Sequence, residues 1–391
     1  MMKLVALFHY KCYFQQMLKE RKATGKELEG RAIEHMRHLL APLPLAAKNL
    51  QVEEQPRLGS LRPDFLINLG SGSEGWTLVC EVKSDGQPRN IRYAALQVRD
   101  YMNRGPGNQR MYPVVIAPYI SPASQAICRE MEVGYMDLAG NSHLAFGDTY
   151  IDRQVAENPF HRRREQRSLF SPKSARVLRV LLTDPLRPWK VEDLARRARV
   201  SLGLVSNVRK MLVDREFGAA KRGEIRIVSP YKLLEEWQSA YVPLRSVRKL
   251  YYTALHGEKL QAAIVDAFAS NELASALREE LPKLLLSSFS AARWLAPYAR
   301  VAGEYFYANE GEENILVKQL KLETVSRGEN VVVDRPKDDG VYLESMEPKK
   351  GLRSTGLIQT YLDLHAAGER GAEAAVHFRE QKIDPVWKGL A

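Results

Sequence analysis

Three charged residues in the first third of the sequence have types and spacing suited to hydrolysis of a phosphodiester bond. Asp64 follows Pro63 at the start of one apolar run, and Glu81 and Lys83 lie in a second run, WTLVCEVK. Such hydrolysis uses an ion such as Mg²⁺ to activate water, and Mg²⁺ commonly takes only one or two protein carboxylates. A nearby lysine can orient the water or offset charge. The alternative is an ordinary hairpin with charges on its solvated side.

Strand periodicity places two of these residues together. Side chains alternate between the faces of a β-strand, so Glu81 and Lys83 project from the same face as Val79. The connection GSGSEG favours an antiparallel hairpin between the two apolar runs. In that hairpin Asp64 can lie beside Glu81.

A helix predicted over residues 26–40 supplies a third acidic residue. At about 100° per residue, the centre of its apolar face lies between Met36 and Glu29, whereas Glu27 and Glu34 fall on the opposite side. A carboxylate on an apolar face is costly unless it is paired or bound to a metal. Glu29 is therefore the glutamate that we place near the site.

The surrounding pattern predicts an α/β domain over roughly residues 20–150. Its elements follow the order α-β-β-α-β-α-β, with a helix at about 90–103 and later strands in YPVVIAP and VGYMDL. Asp137 has both a catalytic and a structural interpretation. We favour the structural one, in which Asp137 ends a strand and AGN forms the turn. His143 has no acidic partner nearby in sequence and receives no role.

These features resemble the PD-(D/E)xK nuclease superfamily, which has the restriction-endonuclease-like fold. The matching positions are Pro63, Asp64, Glu81 and Lys83, the helical pair Gln97 and Tyr101, and the helix-borne Glu29. The resemblance covers roughly residues 20–150, about a third of the chain, within a predicted domain over residues 1–151. Many proteins keep such a scaffold and lose its chemistry, so retention of catalysis stays open.

The resemblance also implies roles for these residues. Asp64 and Glu81 would be catalytic residues that bind Mg²⁺ or Mn²⁺, Glu29 would be a further metal ligand, and Lys83 would be the catalytic lysine. The helix would support the site in the manner of RecB-type nucleases, through Gln97 and Tyr101.

Residues 172–229 have a different organisation, with three helices and then two short strands. The turn before the third helix is RVSLGL, in which Ser201 is the predicted N-cap. Helical spacing directs four apolar residues of the third helix to the core: Leu204, Val205, Val208 and Leu212. It leaves Gly203, Ser206, Asn207 and Lys210 outward, with Arg209 near the edge. Lys221 and Arg222 fall at the tip of the predicted β-wing.

This block resembles a winged helix–turn–helix of bacterial transcriptional regulators. The resemblance implies double-stranded DNA as partner, with short polar and basic side chains in the major groove and on phosphates. The alternative is a small helical domain used for protein contacts. A basic linker over residues 152–171 agrees with DNA binding, because seven Lys or Arg and one Glu lie between His161 and Arg179.

Residues 230–391 predict an α+β domain. A helical stretch covers about 231–297, strand-like runs follow in AGEYFYA, NILVKQLKLETV, NVVVDRP and GVYLES, and the end is helical. The segments SSFSAARWLAPY, EYFYA and GLIQTYLDLHAAGERGAEAA resemble AbiEi-family antitoxins of type IV toxin–antitoxin systems. That resemblance implies a repressor of its own promoter that counters a nucleotidyltransferase toxin. His256, Glu258, Asp334 and Asp363 are interpreted as surface or capping residues.

Composition limits these hypotheses. The 391 residues carry a formal net charge of +11, which favours a polyanionic partner. The apolar run near the start is too short for a signal-peptide core, and no run approaches the roughly 20 apolar residues of a membrane span. Cys12, Cys80 and Cys128 show no zinc-binding spacing. We therefore expect a cytoplasmic protein with reduced thiols and no membrane association.

Three functional hypotheses remain open. The first is a Mg²⁺-dependent deoxyribonuclease that the winged helix delivers to DNA. The second is a non-catalytic repressor or antitoxin whose N-terminal domain serves DNA binding or dimerisation, so that a homodimer is one expected assembly. The third is a component of a mobile element or of phage defence that acts with another protein.

Overall fold

The structure is a computed structural model. It describes residues 25–57, 62–71, 75–104, 110–155, 169–243, 245–277, 283–297 and 303–388. The chain divides into two units, Met1–Arg164 and Glu165–Ala391. The apolar start, Cys12 and most of the predicted basic linker lie outside the described residues.

The N-terminal unit contains a seven-stranded sheet. Its strands lie in the sheet in chain order: β1 (Leu50–Glu54), β2 (Phe65–Leu69), β3 (Trp76–Val82), β4 (Met111–Ala117), β5 (Gly134–Asp137), β6 (Ser142–Phe146) and β7 (Thr149–Arg153). Its helices are α1 (Gly25–Leu40), α2 (Pro44–Lys48), α3 (Pro88–Arg104) and α4 (Pro122–Glu130). The pairs β3–β4 and β4–β5 are parallel, as helical crossovers allow, and the other pairs are antiparallel.

The alternation of β3 divides the apolar core between two faces of this sheet. Leu78 and Cys80 pack in one cluster with Met36 of α1. Val79 packs in another cluster with Ile91 and other residues of α3. The sequence pattern predicted this alternation, and it leaves the positions of Glu81 and Lys83 on the α3 side of the strand.

The second unit begins with a segment that we call the helix–hairpin segment, residues 172–227. It comprises α5 (Pro172–Thr183), β8 (Trp189–Lys190), α6 (Val191–Ala198), α7 (Leu202–Asp214), β9 (Gly218–Lys221) and β10 (Glu224–Ile227). Strand β10 pairs with both β8 and β9. The β9–β10 turn contains Arg222 and Gly223, both with positive φ, as a tight two-residue hairpin requires.

The rest of the unit surrounds a second seven-stranded sheet. Its strands are β11 (Arg245–Tyr252), β12 (Leu284–Leu286), β13 (Glu304–Ala308), β14 (Glu323–Thr324), β15 (Val331–Pro336), β16 (Met346–Lys349) and β17 (Leu352–Ser354). They lie in the sheet in the order β14-β11-β15-β13-β12-β17-β16. Its helices are α8 (Pro230–Ala240), α9 (Gly257–Leu277), α10 (Ser288–Leu295), α11 (Glu310–Gln319), α12 (Leu357–His365) and α13 (Glu369–Phe378). A 3-10 turn (Asp339–Tyr342) and a π-helical turn (Arg379–Ile383) complete it. The whole chain is thus a mixed α/β multidomain protein.

One apolar core joins the helix–hairpin segment to the helices at the end of the chain. It contains Leu178 and Val208 from the segment, together with Trp237, Leu362 and Phe378. The blocks predicted over 172–229 and 230–391 therefore pack as parts of one unit. Burial of large apolar side chains on both sides gives this packing its main driving force.

Three predictions of secondary structure beyond residue 230 are wrong. The first half of the predicted strand-like run at 314–325 belongs to α11, the run at 340–345 begins as a 3-10 turn, and the helical stretch at 231–297 contains β11 and β12. Apolar residues in these short runs fit either period, and the tertiary contacts decide between them.

Candidate functional site

The hairpin brings the first candidate residues together. Pairing of Phe65 with Cys80 places Asp64 beside the end of β3. The Asp64 carboxylate accepts a hydrogen bond from the backbone N–H of Val82 at 2.6 Å. Lys83 Nζ lies 2.8 Å from Glu81 Oε1. Strand pairing and strand alternation thus assemble what we call the carboxylate–lysine cluster, Asp64, Glu81 and Lys83.

Helix α3 supports this cluster through two side chains. Lys83 Nζ donates to Gln97 Oε1 at 3.2 Å, and Gln97 Nε2 donates to the Tyr101 hydroxyl. The Tyr101 hydroxyl in turn donates to the backbone oxygen of Arg62 at 3.3 Å. A chain of hydrogen bonds therefore connects the lysine to the backbone just before Asp64. Gln97 and Tyr101 meet because they lie one helical turn apart.

Glu29 lies where helical phasing predicted it. Glu29 is half-buried, whereas Glu27 and Glu34 are exposed. Burial raises the pKa of Glu29, and the negative charge of Asp64 raises it further, while a hydrogen bond with the Gln55 side chain opposes the shift. The structure thus brings a third carboxylate into electrostatic range of Asp64.

The electrostatics of the cluster favour a cation. Burial raises the pKa of Glu81, and the charge of Asp64 adds to this shift against the hydrogen bond from Lys83. Burial also raises the pKa of Asp64, against the Val82 N–H and the charge of Lys83. Glu81 Oε2 is buried and has no hydrogen-bond partner among the described residues. A buried carboxylate oxygen without a partner is costly, and a bound cation would offset that cost.

The donor set suits a hard ion such as Mg²⁺ or Mn²⁺, because its atoms are carboxylate oxygens. Among the described residues, no group of three or more His, Cys, Asp or Glu side chains is arranged to hold a metal ion. An ion here would therefore depend on Asp64 and Glu81, with water as its other ligands. Mg²⁺ tolerates such a set because it usually keeps several of its waters.

Two other polar residues of this unit, Asp137 and His143, have contacts typical of residues with a structural role. Asp137 is fully buried and accepts hydrogen bonds from the backbone N–H groups of Ile120, Ala139 and Asn141, and from the Asn141 side chain. These contacts support the turn interpretation of Asp137. His143 Nδ1 lies 3.6 Å from Asp152 on the paired strand β7, an acidic neighbour that sequence proximity did not predict.

Helix α7 of the helix–hairpin segment presents an exposed polar face. Val205, Val208 and Leu212 are buried and Leu204 is half-buried, as the helical pattern predicted. The predicted outward residues Gly203, Ser206, Asn207 and Lys210 are all exposed, and Arg209 is half-buried. Ser201 caps the helix and accepts the backbone N–H of Leu204 at 3.3 Å. Short polar side chains and a lysine therefore share one accessible face.

The hairpin adds two further exposed cations. Lys221 ends β9, Arg222 occupies the turn, and both are exposed. Their position at the tip of a β-hairpin suits contact with a nucleic-acid backbone. Neither side chain forms a described ion pair, so both charges are available for such a contact.

Sequence reasoning missed a group of basic residues at the start of α7. Lys173, Arg196 and Arg199 line one cleft there, beside Ser201 and Leu204. From the sequence alone, Lys173 is only one member of the basic stretch, and Arg199 only the first residue of the predicted turn RVSLGL. Their common position depends on how α5, α6 and α7 pack, which no local spacing shows.

Two aspartates of the second unit are buried, so their surface interpretation is wrong. Asp334 is 8% exposed and pairs with Arg248, and Asp363 is 7% exposed. Asp363 accepts hydrogen bonds from Tyr241 at 2.7 Å and from Tyr307 at 3.0 Å. These partners are too distant in sequence for local patterns to reveal.

Comparison with known proteins bears on the second unit. No curated protein and no solved structure gave a significant match to the chain. No helix among the described residues is long and apolar enough to cross a membrane. Residues 226–384 match the family model of the transcriptional regulator AbiEi, an antitoxin of type IV toxin–antitoxin systems.

Proposed function

We propose that the protein is a DNA-binding transcriptional regulator of the antitoxin type, which binds the duplex upstream of its own reading frame in the cytoplasm. The exposed polar face of α7 carries this proposal. That face belongs to a segment that shares one core with the residues matching the AbiEi family. A reading helix and a regulator-like domain thus form one packed unit.

In this proposal the helix–hairpin segment acts as a winged helix–turn–helix, with α7 in the major groove. Ser206 and Asn207 contact base edges, because short hydroxyl and amide groups suit direct readout. Lys210 and Arg209 bind phosphates at the groove edge. The hairpin tip contacts the adjacent backbone through its two cations.

The family description also indicates a toxin. We propose a nucleotidyltransferase toxin encoded nearby, which the regulator counters at the level of transcription without a required contact. A homodimer would place two α7 helices on successive half-sites of a palindromic operator.

Affinity for upstream DNA tests this function. We expect the double variant Asn207→Ala/Lys210→Ala to lose specific binding by 10-fold or more, since good base contacts contribute about 1–3 kcal/mol each. Lys83→Ala is the matched control, and it should bind like the wild type. Fluorescence anisotropy and footprinting provide the measurements. A wild-type protein that protects no upstream DNA would contradict the proposal.

A second candidate function is metal-dependent cleavage of DNA by the N-terminal unit. The buried and unpartnered oxygen of Glu81, in a cluster with a second carboxylate and a lysine, favours this candidate. We propose Asp64 and Glu81 as the ligands of Mg²⁺ or Mn²⁺, with Glu29, whose pKa the charge of Asp64 raises, as a further ligand through water. The bound ion would supply activation of water and neutralisation of charge on the phosphate.

The protein's own groups would then act as follows. Glu81 and Asp64 bind the cation through carboxylate oxygens. Lys83 is held at the cluster by Gln97, so that its ammonium can orient the attacking water or interact with a phosphate oxygen as negative charge develops. Tyr101 fixes Gln97 and thereby the position of the lysine.

Two measurements test this second function. Isothermal titration calorimetry with Mg²⁺ or Mn²⁺ should show that the wild type binds the ion. The affinity should fall at least tenfold in Asp64→Asn. Incubation with plasmid and oligonucleotide DNA should show metal-dependent nicking that Lys83→Ala abolishes. Metal binding without cleavage would leave a scaffold that has lost its chemistry, and absence of both would refute the candidate.

A further inference from the structure

A basic cleft lies at the N-terminal end of α7. It has a volume of about 440 Å³ and is lined by Lys173, Arg196 and Arg199, with Ser201 and Leu204 on the α7 side. The three basic side chains come from different places, namely the start of α5, the end of α6 and the turn after it. Lys173 and Arg199 form no described ion pair, whereas Arg196 pairs with Asp193. Within the part of the chain that the structure describes, the charges of Lys173 and Arg199 are therefore not neutralised by an ion pair.

We infer that this cleft binds a phosphate of the DNA backbone beside the groove that α7 enters. The inference rests on the proposed DNA-binding function and adds contacts that are independent of base sequence. Phosphate is the ligand class that fits best, because several cations converge on one small concave surface. The cleft borders Leu204 in the first turn of α7, so a phosphate bound there lies next to the reading face.

The backbone at Arg199 agrees with this role. Arg199 ends α6 in the left-handed conformation, with φ of 52° and ψ of 53°. Glycine or asparagine usually occupies such a position, because other side chains are strained there. An arginine at this point gains nothing for the turn itself, and its side chain lines the cleft.

The AbiEi-matching residues fix the cleft in place. Asp338 accepts two hydrogen bonds from the guanidinium of Arg176, each at 2.8 Å. Arg176 Nη1 also donates to the backbone oxygen of Arg199 at 3.4 Å. Burial alone would raise the pKa of Asp338, but the hydrogen bonds from Arg176 outweigh it and lower that pKa. Asp338 is thus ionised and holds the turn that carries Arg199.

A second ion pair holds α6, the helix that ends at this turn. Arg197 of α6 forms two hydrogen bonds with the Glu344 carboxylate, both at 2.7 Å. Two carboxylates of the C-terminal region therefore hold the C-terminal end of α6, where the cleft lies: Glu344 through Arg197, and Asp338 through Arg176. We assign Asp338 as a positioning residue for DNA binding, although it touches Arg176 and not the DNA.

The dependence of affinity on salt tests the inference in the full-length protein. Anisotropy should be measured with two duplexes, the upstream DNA and a duplex of unrelated sequence, over a series of salt concentrations. The variants are Lys173→Ala and Arg199→Asn, since asparagine tolerates the left-handed backbone. We expect the magnitude of the slope of log K against log salt to fall by about 0.9 for each lost phosphate contact. The loss should be equal on both duplexes.

The controls separate this inference from the function on which it rests. Arg327→Ala removes an exposed arginine without a described partner, and its slope should match the wild type. Asp338→Asn should weaken binding to both duplexes while circular dichroism shows a folded protein. An unchanged slope in Lys173→Ala and Arg199→Asn would overturn the inference. If Asn207→Ala loses its preference for the upstream duplex in that case, the proposed role of α7 in reading base sequence is still supported. A wild type that binds neither duplex would refute the proposed DNA-binding function.

Discussion

Two pairs of carboxylates, Asp64 with Glu81 in the N-terminal unit and Glu313 with Asp338 in the second unit, have opposite electrostatic surroundings. In the N-terminal unit burial raises the pKa values of Asp64 and Glu81, and the negative charge of Asp64 raises the pKa of Glu81 further. In the second unit burial acts in the same direction on Glu313 and Asp338, but cationic partners outweigh it and both pKa values fall. The first pair therefore leaves charge for a ligand to neutralise, whereas the charge of the second pair is neutralised by neighbouring side chains.

A raised pKa alone does not distinguish a functional site. Burial raises the pKa of Asp137, although its oxygens accept four hydrogen bonds. Burial also raises the pKa of Asp363 to about 6, beside tyrosines and a glutamine. What separates Asp64 and Glu81 is the second carboxylate, the adjacent lysine and the unpartnered oxygen together.

The largest effect should come from breaking the buried polar network of the second unit. Arg179 is 5% exposed, donates to Gln359 at 2.9 Å through Nε, and stabilises the charge of Asp363. Arg179→Ala should lower the free energy of unfolding by about 3–5 kcal/mol, the usual cost of removing one partner of a buried charged network. Urea denaturation measures this. A loss no larger than that of the exposed Arg327→Ala would show that the network is not structural.

The next effect concerns the dependence of stability on pH. Since Asp363 has its pKa raised from 3.8 to about 6, its contribution to stability is full below pH 3.8 and is lost as the pH rises through about 6. The loss should be about 3 kcal/mol, at 1.36 kcal/mol per unit. Asp363→Asn should remove this pH dependence in urea unfolding between pH 4 and 7. The same dependence in the variant would assign it to another group.

Substitutions of Asp363 and of Asp64 should differ in their effect on the stabilisation that a metal ion provides. A ligand that binds only the folded state at a hundredfold excess over its Kd adds about 2.7 kcal/mol of stability. We expect Mg²⁺ or Mn²⁺ to add this in the wild type and in Asp363→Asn, but not in Asp64→Asn. Thermal unfolding with and without the ion gives the measurement. Equal stabilisation of all three proteins would place the metal elsewhere.

The sequence predicts the carboxylate–lysine cluster well because its geometry follows from local periods. A period of two places Glu81 with Lys83, a period of 3.6 singles out Glu29, and one helical turn separates Gln97 from Tyr101. The same periods predict the exposed face of α7. These residues are positioned by the element on which they lie, so spacing along the chain is enough.

The second unit was less predictable because its contacts are distant in sequence. Arg176 meets Asp338 across 162 residues, and Arg179 meets Gln359 across 180. A local pattern also produced a wrong prediction. The alternation of Leu320 and Leu322 around a lysine resembles that of a strand, although the residues just before it belong to α11. The signal that predicts this helix is the acidic first turn, which suits the positive end of the helix dipole.

The smallest effect should come from Glu313, whose charge the second unit neutralises. Its carboxylate accepts hydrogen bonds from Lys249 and Tyr251, and Arg335 lies 3.3 Å away. Because these partners lower the pKa below its usual 4.5, the contribution to stability is present above that pH and is lost as the pH falls through the lowered pKa. Its dependence on pH is therefore opposite to that of Asp363.

Glu313→Gln should accordingly cost no more than about 1 kcal/mol at pH 7, since the Lys249 side chain is 42% exposed and water screens the pair. The difference from the wild type should vanish in urea unfolding as the pH falls below the lowered pKa of Glu313. Salt should reduce it at pH 7, because exposed ion pairs are screened. If the variant were more stable than the wild type at pH 7, the cost of desolvating the Glu313 carboxylate would exceed the gain from its ion pairs. The contrast between the two pairs of carboxylates would then not hold for Glu313.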